Sequence, residues 1–221
     1  MAAASEGFRK IVASTEFQAY HEARVGLTDT AEETMNPLFE AALDVQGFIE
    51  DRGWRFCFIG GLAVIRWGEP RTTGDVDVTL LTGFGQEEAY IGPLLDRFAP
   101  RRDDAARFAL ANRVLLLQTR EGIPVDIALA AFPYEEGVVE RASPFDFAPQ
   151  HRLITCSAED LIVLKAFAGR PVDWIDVTGI LRRRWKGLDT AFLLEQLEGL
   201  CRLREDLAPL ERLKTLLETE A

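Results

Sequence analysis

Two aspartates separated by one residue, Asp75 and Asp77, open an apolar run that extends to Leu81. The apolar character of this run predicts a β-strand, and residues two apart on a strand project from the same face, roughly 6–7 Å apart. Mg²⁺ is bound in proteins by a few carboxylates together with substrate phosphates. The pair therefore predicts a site for two Mg²⁺ ions, although the same spacing also occurs on ordinary exposed strands.

Two glycines, Gly60 and Gly61, stand between an apolar strand-like run, 54–59, and a short helical run. Glycine allows another group to approach the backbone closely. The free N–H groups and the positive dipole end of the following helix suit an anion such as a triphosphate. The sequence therefore predicts that an anion such as a triphosphate lies against the two glycines.

A third carboxylate, Asp126, is the only charge in the apolar run 123–129. A lone aspartate in an apolar strand is costly unless it is paired or binds a cation. The turn at 120–122 predicts that this strand runs antiparallel to the preceding strand, 113–119. Asp126 is therefore predicted to join Asp75 and Asp77 as a ligand of a cation.

The order of these features resembles the signature of the DNA polymerase β-like nucleotidyltransferase superfamily. Its positions are matched one by one by Gly60, Gly61, Asp75, Asp77 and Asp126. Many members have Ser where this chain has Gly61, so a hydroxyl contact to phosphate is missing and backbone N–H groups would serve instead. The resemblance implies Mg²⁺-dependent transfer of a nucleoside monophosphate from an NTP to an acceptor hydroxyl.

A single lysine, Lys165, interrupts a predicted helix that is apolar almost all round after its acidic first turn. Its side chain either extends to the surface or meets an anion, for example the charge that develops on leaving pyrophosphate. In the next predicted helix, Asp173 and Asp176 share one face because they are three residues apart. The simpler alternative is that one of these aspartates caps the helix and the other is solvated.

The segments 132–142 and 158–176 look like those of one branch of the superfamily, the AbiEii-type toxins of type IV toxin–antitoxin systems. This resemblance implies a catalytic lysine, Lys165, and a catalytic helical aspartate. Either Asp173 or Asp176 fits, and we assign catalysis to Asp176 and nucleotide binding to Asp173. Arg71 and Thr73 are predicted as further nucleotide contacts. A cognate antitoxin would be a partner.

The predicted fold is α/β, with a mixed, twisted, nucleotidyltransferase-type sheet flanked by helices and followed by a helical C-terminal subdomain. We divide the chain into a loosely ordered segment, 1–29, a catalytic core, 30–156, and the helical subdomain, 157–221. A capping box at 30–33 predicts a helix that extends to about Arg52. A helix predicted over 86–98 would be interrupted near Gly92-Pro93.

The composition of the chain limits the classes of partner that it can bind. The chain has 221 residues, of which 48% are hydrophobic, so it can bury a core, and its net charge of −11 argues against general nucleic-acid binding. No apolar run reaches the length of a membrane span, and the first residues lack the order of a signal peptide.

Three widely spaced cysteines indicate free thiols, so we predict a cytoplasmic protein. Two histidines argue against a His-based zinc site or a catalytic triad.

Local basic patches would be needed to contact a polyanion. The candidates are Arg101, Arg102, Arg107, Arg113 and the cluster 182–186. For the last cluster, the favoured explanation is a basic helix C-terminus that complements the helix dipole.

Several acceptors and functions stay open on the sequence. A tRNA 3′ end or a protein hydroxyl side chain is the predicted acceptor, and an aminoglycoside-type small molecule is an alternative. A catalytically silent nucleotide-binding or partner-binding module is a second class of function. A Mg²⁺-dependent hydrolase is a third, but it gives no role to the two glycines.

Overall fold

The computed structural model of the protein describes residues 36–148 and 151–220. Its helices are α1 (Pro37–Glu50), α2 (Gly60–Trp67), α3 (Glu88–Arg97), α4 (Ala105–Asn112), α5 (Pro133–Glu140), α6 (Ala158–Ala168), α7 (Pro171–Arg184), α8 (Thr190–Arg204) and α9 (Ala208–Glu220). Its strands are β1 (Phe56–Phe58), β2 (Val76–Leu81), β3 (Ala99–Pro100), β4 (Val114–Gln118), β5 (Pro124–Ala130), β6 (Ser143–Ala148) and β7 (His151–Thr155). The predicted segment 1–29 and the capping box at 30–33 lie outside the described residues.

The strands of the described residues form one mixed sheet in the order β3-β4-β5-β2-β1-β7-β6. β2 is parallel to β5 and β1 is parallel to β7, while the other neighbours are antiparallel. This confirms the predicted α/β class and the predicted antiparallel pairing of β4 with β5. The parallel pairing of β2 with β5 places two separated parts of the chain side by side at the centre of the sheet.

Helices cover the two faces of the sheet unequally. One face packs against α1, α3 and α4 and includes alternate residues of β4 and β5, such as Leu115 and Val125. The other face packs against α5 to α9, with Cys57 on β1 and Cys156 after β7 in its core. Successive strand residues face opposite sides, so β1 contributes Phe56 and Phe58 to the first layer and Cys57 to the second. No helix within the described residues is long and apolar enough to cross a membrane.

Two predicted helix details need correction. Within the described residues, α1 begins at Pro37, after Asn36, whose side chain accepts a hydrogen bond from the Leu38 N–H at 2.9 Å. The predicted interruption near Gly92-Pro93 is wrong, because α3 continues through Pro93. A proline removes only one helical hydrogen bond, and burial of Ile91 and Leu94 on either side keeps this helix against the core.

Candidate active site

Asp77 and Asp126 lie directly beside each other on neighbouring parallel strands. They are paired in the register of β2 with β5, so their side chains project from the same face. Asp75 lies one residue before β2, is exposed, and accepts a hydrogen bond from the Thr73 hydroxyl at 2.8 Å. The structure therefore brings together the three carboxylates that the sequence singled out.

Burial and the repulsion of like charges raise the pKa values of Asp77 and Asp126. Burial, followed by the negative charges of Asp75 and Asp126, raises the pKa of Asp77 to about 6. Burial also raises the pKa of Asp126, and the charge of Arg101, which is ion-paired with it, opposes this shift. A cation placed among the three carboxylates would relieve the repulsion.

The carboxylate oxygens of Asp75, Asp77 and Asp126 are suitable ligands for a hard divalent cation. Their side chains do not, however, converge on one point. In the conformations present, no group of three His, Cys, Asp or Glu side chains among the described residues is spaced to hold a metal ion. Asp75 is engaged by Thr73, and Asp126 is engaged by Arg101. Oxygen ligands of this kind suit Mg²⁺ or Mn²⁺ once those side chains turn inward.

Asp77 should make the stability of the metal-free protein depend on pH. Its pKa is about 6 in the folded chain against an ordinary 3.8, so the folded state binds this proton more tightly. The resulting stabilisation, roughly 3 kcal/mol, is complete below about pH 4 and is lost as the pH rises through about 6. Thermal denaturation in chelator between about pH 4 and 7 should show the loss, and Asp77→Asn should remove that part of the slope.

Neighbouring side chains leave no room for a Cβ atom at either Gly60 or Gly61. Gly60 begins α2 with a φ of +58°, and a Cβ added there would lie 1.8 Å from Oδ2 of Asp77. A Cβ on Gly61 would lie 2.1 Å from the hydroxyl oxygen of Thr73. No side chain of the described residues caps the first turn of α2. The amides at this helix end therefore lie beside the carboxylates and are available to an anion.

Replacing Gly60 with alanine should destabilise the fold. The new Cβ would need a left-handed backbone conformation and would overlap Asp77, which together should cost about 2–4 kcal/mol. Gly74→Ala is the matched control, because a Cβ there meets nothing within 4 Å. Chemical denaturation of the two variants measures the difference, and equal midpoints would contradict the geometry.

The sequence left open whether the Lys165 side chain extends to the surface or contacts an anion. In the structure it is buried and contacts anions. Its Nζ lies 3.0 Å from Oδ1 of Asp173 and 2.9 Å from Oδ2 of Asp176, and the three side chains are only 7%, 0% and 2% exposed. The lysine projects from α6, and both aspartates project from the inner face of α7. The anions are therefore carboxylates of the protein, and Lys165 binds both aspartates between which the sequence left a choice.

Two arginines complete this buried cluster. Arg71, from the loop before β2, donates two hydrogen bonds to Asp176 at 2.7 and 2.9 Å. Arg170 donates to Asp173 at 2.7 and 3.0 Å. Burial would raise the pKa of each aspartate, but hydrogen bonds from the arginine and Lys165 outweigh it and hold both pKa values below the ordinary value.

The cluster lies next to the three carboxylates. The positive charges of Lys165 and Arg170 lower the pKa of Asp77, against the stronger raising effects of burial and like charge. Arg170 was not among the predicted site residues, although it lies just before α7 and its side chain is 68% exposed. Arg71 was predicted as a phosphate contact, and here it joins the loop of Asp75 to α7 through Asp176.

A second buried ion pair fixes the start of α6, the helix that carries Lys165. Ser157 caps the helix, and its hydroxyl donates to Asp160 at 2.7 Å. Arg141, after α5, donates two further hydrogen bonds to Asp160 at 2.9 and 2.8 Å. Arg141 therefore ties the start of α6 to the end of α5.

Comparison with known proteins finds distant structural neighbours and no sequence relatives. No protein-family model and no curated protein matches the chain. Among solved structures, an antigenic nucleotidyltransferase-like protein from Paracoccidioides brasiliensis is 16% identical, covers 79% of this chain and 92% of its own, and has a TM-score of 0.47. The lincosamide antibiotic adenylyltransferase LnuA, in a lincomycin-bound structure, is 12% identical, with coverages of 64% and 94% and a TM-score of 0.45.

The antibiotic-resistance factor ANT(2'')-Ia is 14% identical, covers 80% of this chain and 96% of its own, and has a TM-score of 0.48. At these identities and TM-scores, nothing about activity or substrates passes from these proteins to this chain. The narrower resemblance to AbiEii-type toxins stays a prediction.

Proposed function

We propose that this chain is a divalent-metal-dependent nucleotidyltransferase. It would transfer a nucleoside monophosphate from an NTP to an acceptor hydroxyl and release pyrophosphate. The observation that carries the proposal is the alignment of Asp77 with Asp126 on adjacent parallel strands, beside Asp75 and the open N-terminus of α2. Burial, and after it the negative charges of Asp75 and Asp126, raise the pKa of Asp77, and a bound cation would offset these charges.

Each group has a role in this proposal. Asp75, Asp77 and Asp126 would hold two Mg²⁺ ions, which when bound would offset negative charge on the phosphates and on the acceptor oxygen. The amides of Gly60 and Gly61 would face the β- and γ-phosphates, and Thr73, beside Gly61, would contact the nucleotide. Asp126 would accept the proton of the acceptor hydroxyl. Catalysis would then rest on positioning and electrostatics.

The buried cluster would act mainly by orientation and charge. Because Lys165 is held between Asp173 and Asp176, we assign it the role of fixing α7 against α6 and keeping positive charge beside Asp77. The exposed guanidinium of Arg170 is better placed for direct contact with a phosphate. Asp176 would position Arg71 and, through it, the loop that carries Thr73 and Asp75.

A label-transfer assay tests the function. Purified protein is incubated with Mg²⁺ and each α-³²P-labelled NTP, with ATP expected as a donor, in the presence of total tRNA, cell lysate protein or an aminoglycoside. Transfer to one acceptor class that is absent with Asp77→Asn supports the proposal and names the acceptor. Metal-dependent NTP binding with no transfer to any acceptor would favour the alternative of a catalytically silent binding module.

We further propose a cytoplasmic toxin whose acceptor is a tRNA 3′ end or a protein hydroxyl, with a cognate antitoxin as partner. This rests on the sequence resemblance of residues 132–142 and 158–176. Induced expression should arrest growth of a bacterial host, and Asp77→Asn should relieve the arrest. Normal growth with active protein present would remove the toxin role and leave the transferase proposal intact.

A further inference from the structure

A row of side chains crosses the sheet from the carboxylates to its edge. Asp77 pairs with Asp126, and Asp126 pairs with Leu116 on β4. Arg101, the residue after β3, donates its backbone N–H to the Leu116 carbonyl at 3.0 Å. Residues directly opposite in neighbouring strands share a face, so Arg101 stands two strands from Asp126 on the same side, roughly 10 Å away along the row.

In the part of the chain that the structure describes, this half of the sheet face is partly exposed. On β4 and β5, partly exposed residues alternate with buried ones, and the partly exposed set contains Asp126 and Leu116. Among the described residues, the core formed by α5 to α9 on this face includes no side chain from β3, β4 or β5. The amides of α2 lie on the other side of Asp77. A donor nucleotide seated there leaves the partly exposed half for the acceptor.

Arg101 reaches back along this partly exposed face and forms an ion pair with Asp126. Both side chains are partly exposed, at 29% and 34%, so the pair is accessible to solvent and solutes. A carboxylate oxygen that accepts from a guanidinium is not free to bind a cation. Metal binding through Oδ1 of Asp126 would therefore displace Arg101 and leave its positively charged group pointing into the acceptor side of the site.

We propose that Arg101 receives an anionic group, a phosphate or a carboxylate, of the acceptor, and that its ion pair with Asp126 is the resting state of this subsite. The inference rests on the proposed function. Guanidinium groups bind both kinds of anion through two parallel hydrogen bonds. The acceptor class is thus a hydroxyl compound that carries an anionic group near the reacting hydroxyl, and a polycationic acceptor is disfavoured.

Binding of Mn²⁺ alone tests the resting ion pair without any activity measurement. Electron paramagnetic resonance of free Mn²⁺ gives the affinity of wild type, Arg101→Ala, Arg102→Ala and Asp126→Asn. Arg101→Ala should bind Mn²⁺ roughly fivefold more tightly, because its competitor for Asp126 is gone. Arg102 donates to Asp104 at 2.9 Å instead, so Arg102→Ala should match wild type.

The anion subsite is tested on the metal-loaded protein. With Mn²⁺ and α,β-methylene ATP bound, ³¹P line broadening reports inorganic phosphate held near the metal, and ¹³C broadening of acetate reports a carboxylate. Wild type should bind one of these anions at least fivefold more tightly than Arg101→Ala, with Arg102→Ala unchanged. Which anion binds identifies the acceptor group.

The outcomes separate this inference from the proposed function. Equal Mn²⁺ affinity of wild type and Arg101→Ala, or equal anion binding by both, would overturn the inference. If Asp126→Asn binds Mn²⁺ as wild type does, the metal site itself is misassigned and the proposed function falls with it. Loss of Mn²⁺ binding in Asp126→Asn, with no effect of Arg101→Ala, would leave the function standing and remove the role of Arg101.

Discussion

Replacing Asp77 with asparagine should abolish transfer while making the metal-free protein more stable. The amide keeps the shape of the side chain but removes the charge shared with Asp75 and Asp126. Loss of the metal should lower the transfer rate on the order of a thousandfold. Because the pKa of Asp77 is raised to about 6, its ionised form is unfavourable at neutral pH. Its removal should therefore stabilise the fold by up to roughly 3 kcal/mol.

A loss of transfer activity together with a gain in stability distinguishes a functional residue from a structural one. Asp146→Asn is the matched control, because Asp146 lies on β6 and forms an exposed ion pair with Arg152. It should change neither the transfer rate nor the denaturation midpoint appreciably. The assays are label transfer at saturating Mg²⁺ and thermal denaturation in chelator at about pH 7.5. Transfer by Asp77→Asn at a wild-type rate would refute the site assignment.

Replacing Lys165 with methionine should destabilise the protein severely. The change leaves Asp173 and Asp176 buried with one cationic partner fewer each, and breaking a buried ion cluster in this way costs about 3 kcal/mol or more. For a chain of this size, the midpoint of thermal unfolding should fall by roughly 6–12 °C. Lys214→Met is the matched control, since Lys214 pairs with Glu211 at an exposed site and its loss should cost less than about 0.5 kcal/mol.

The pH dependence of the Lys165→Met variant checks the cause. In wild type, the pKa values of Asp173 and Asp176 are lowered, so their contribution to stability is present above the unfolded pKa and is lost as the pH falls through the folded value. In the variant, each aspartate would keep its arginine but lose Lys165, so both pKa values would rise and protonation would relieve the excess buried negative charge. The midpoint difference between variant and wild type should therefore shrink on acidification. A difference that is constant between about pH 7.5 and 5 would indicate a packing defect instead.

Local patterns in the sequence were sufficient for the strand positions of the carboxylates. The apolar run after Asp75 and the lone charge of Asp126 within an apolar strand are features of consecutive residues, and strand geometry fixes which side chains share a face. The helix that carries Lys165 was equally readable from its acidic first turn and its apolar composition. Gly60 and Gly61 were also identified, although the tight contacts that require them come from Asp77 and Thr73.

Only the tertiary structure decided which of these residues meet. The register that sets Asp77 beside Asp126 joins segments almost fifty residues apart, and hydrophobic alternation fixes the face of a strand but not its neighbour. From the sequence, the Lys165 side chain could either extend to the surface or contact an anion. The packing of α6 on α7 brings it into contact with Asp173 and Asp176. Arg101 belonged to an unassigned basic patch, and its approach to Asp126 depends on the pairing of three strands. Such contacts are non-local, so the sequence determined the chemistry available, and the pairing of strands and helices determined the site.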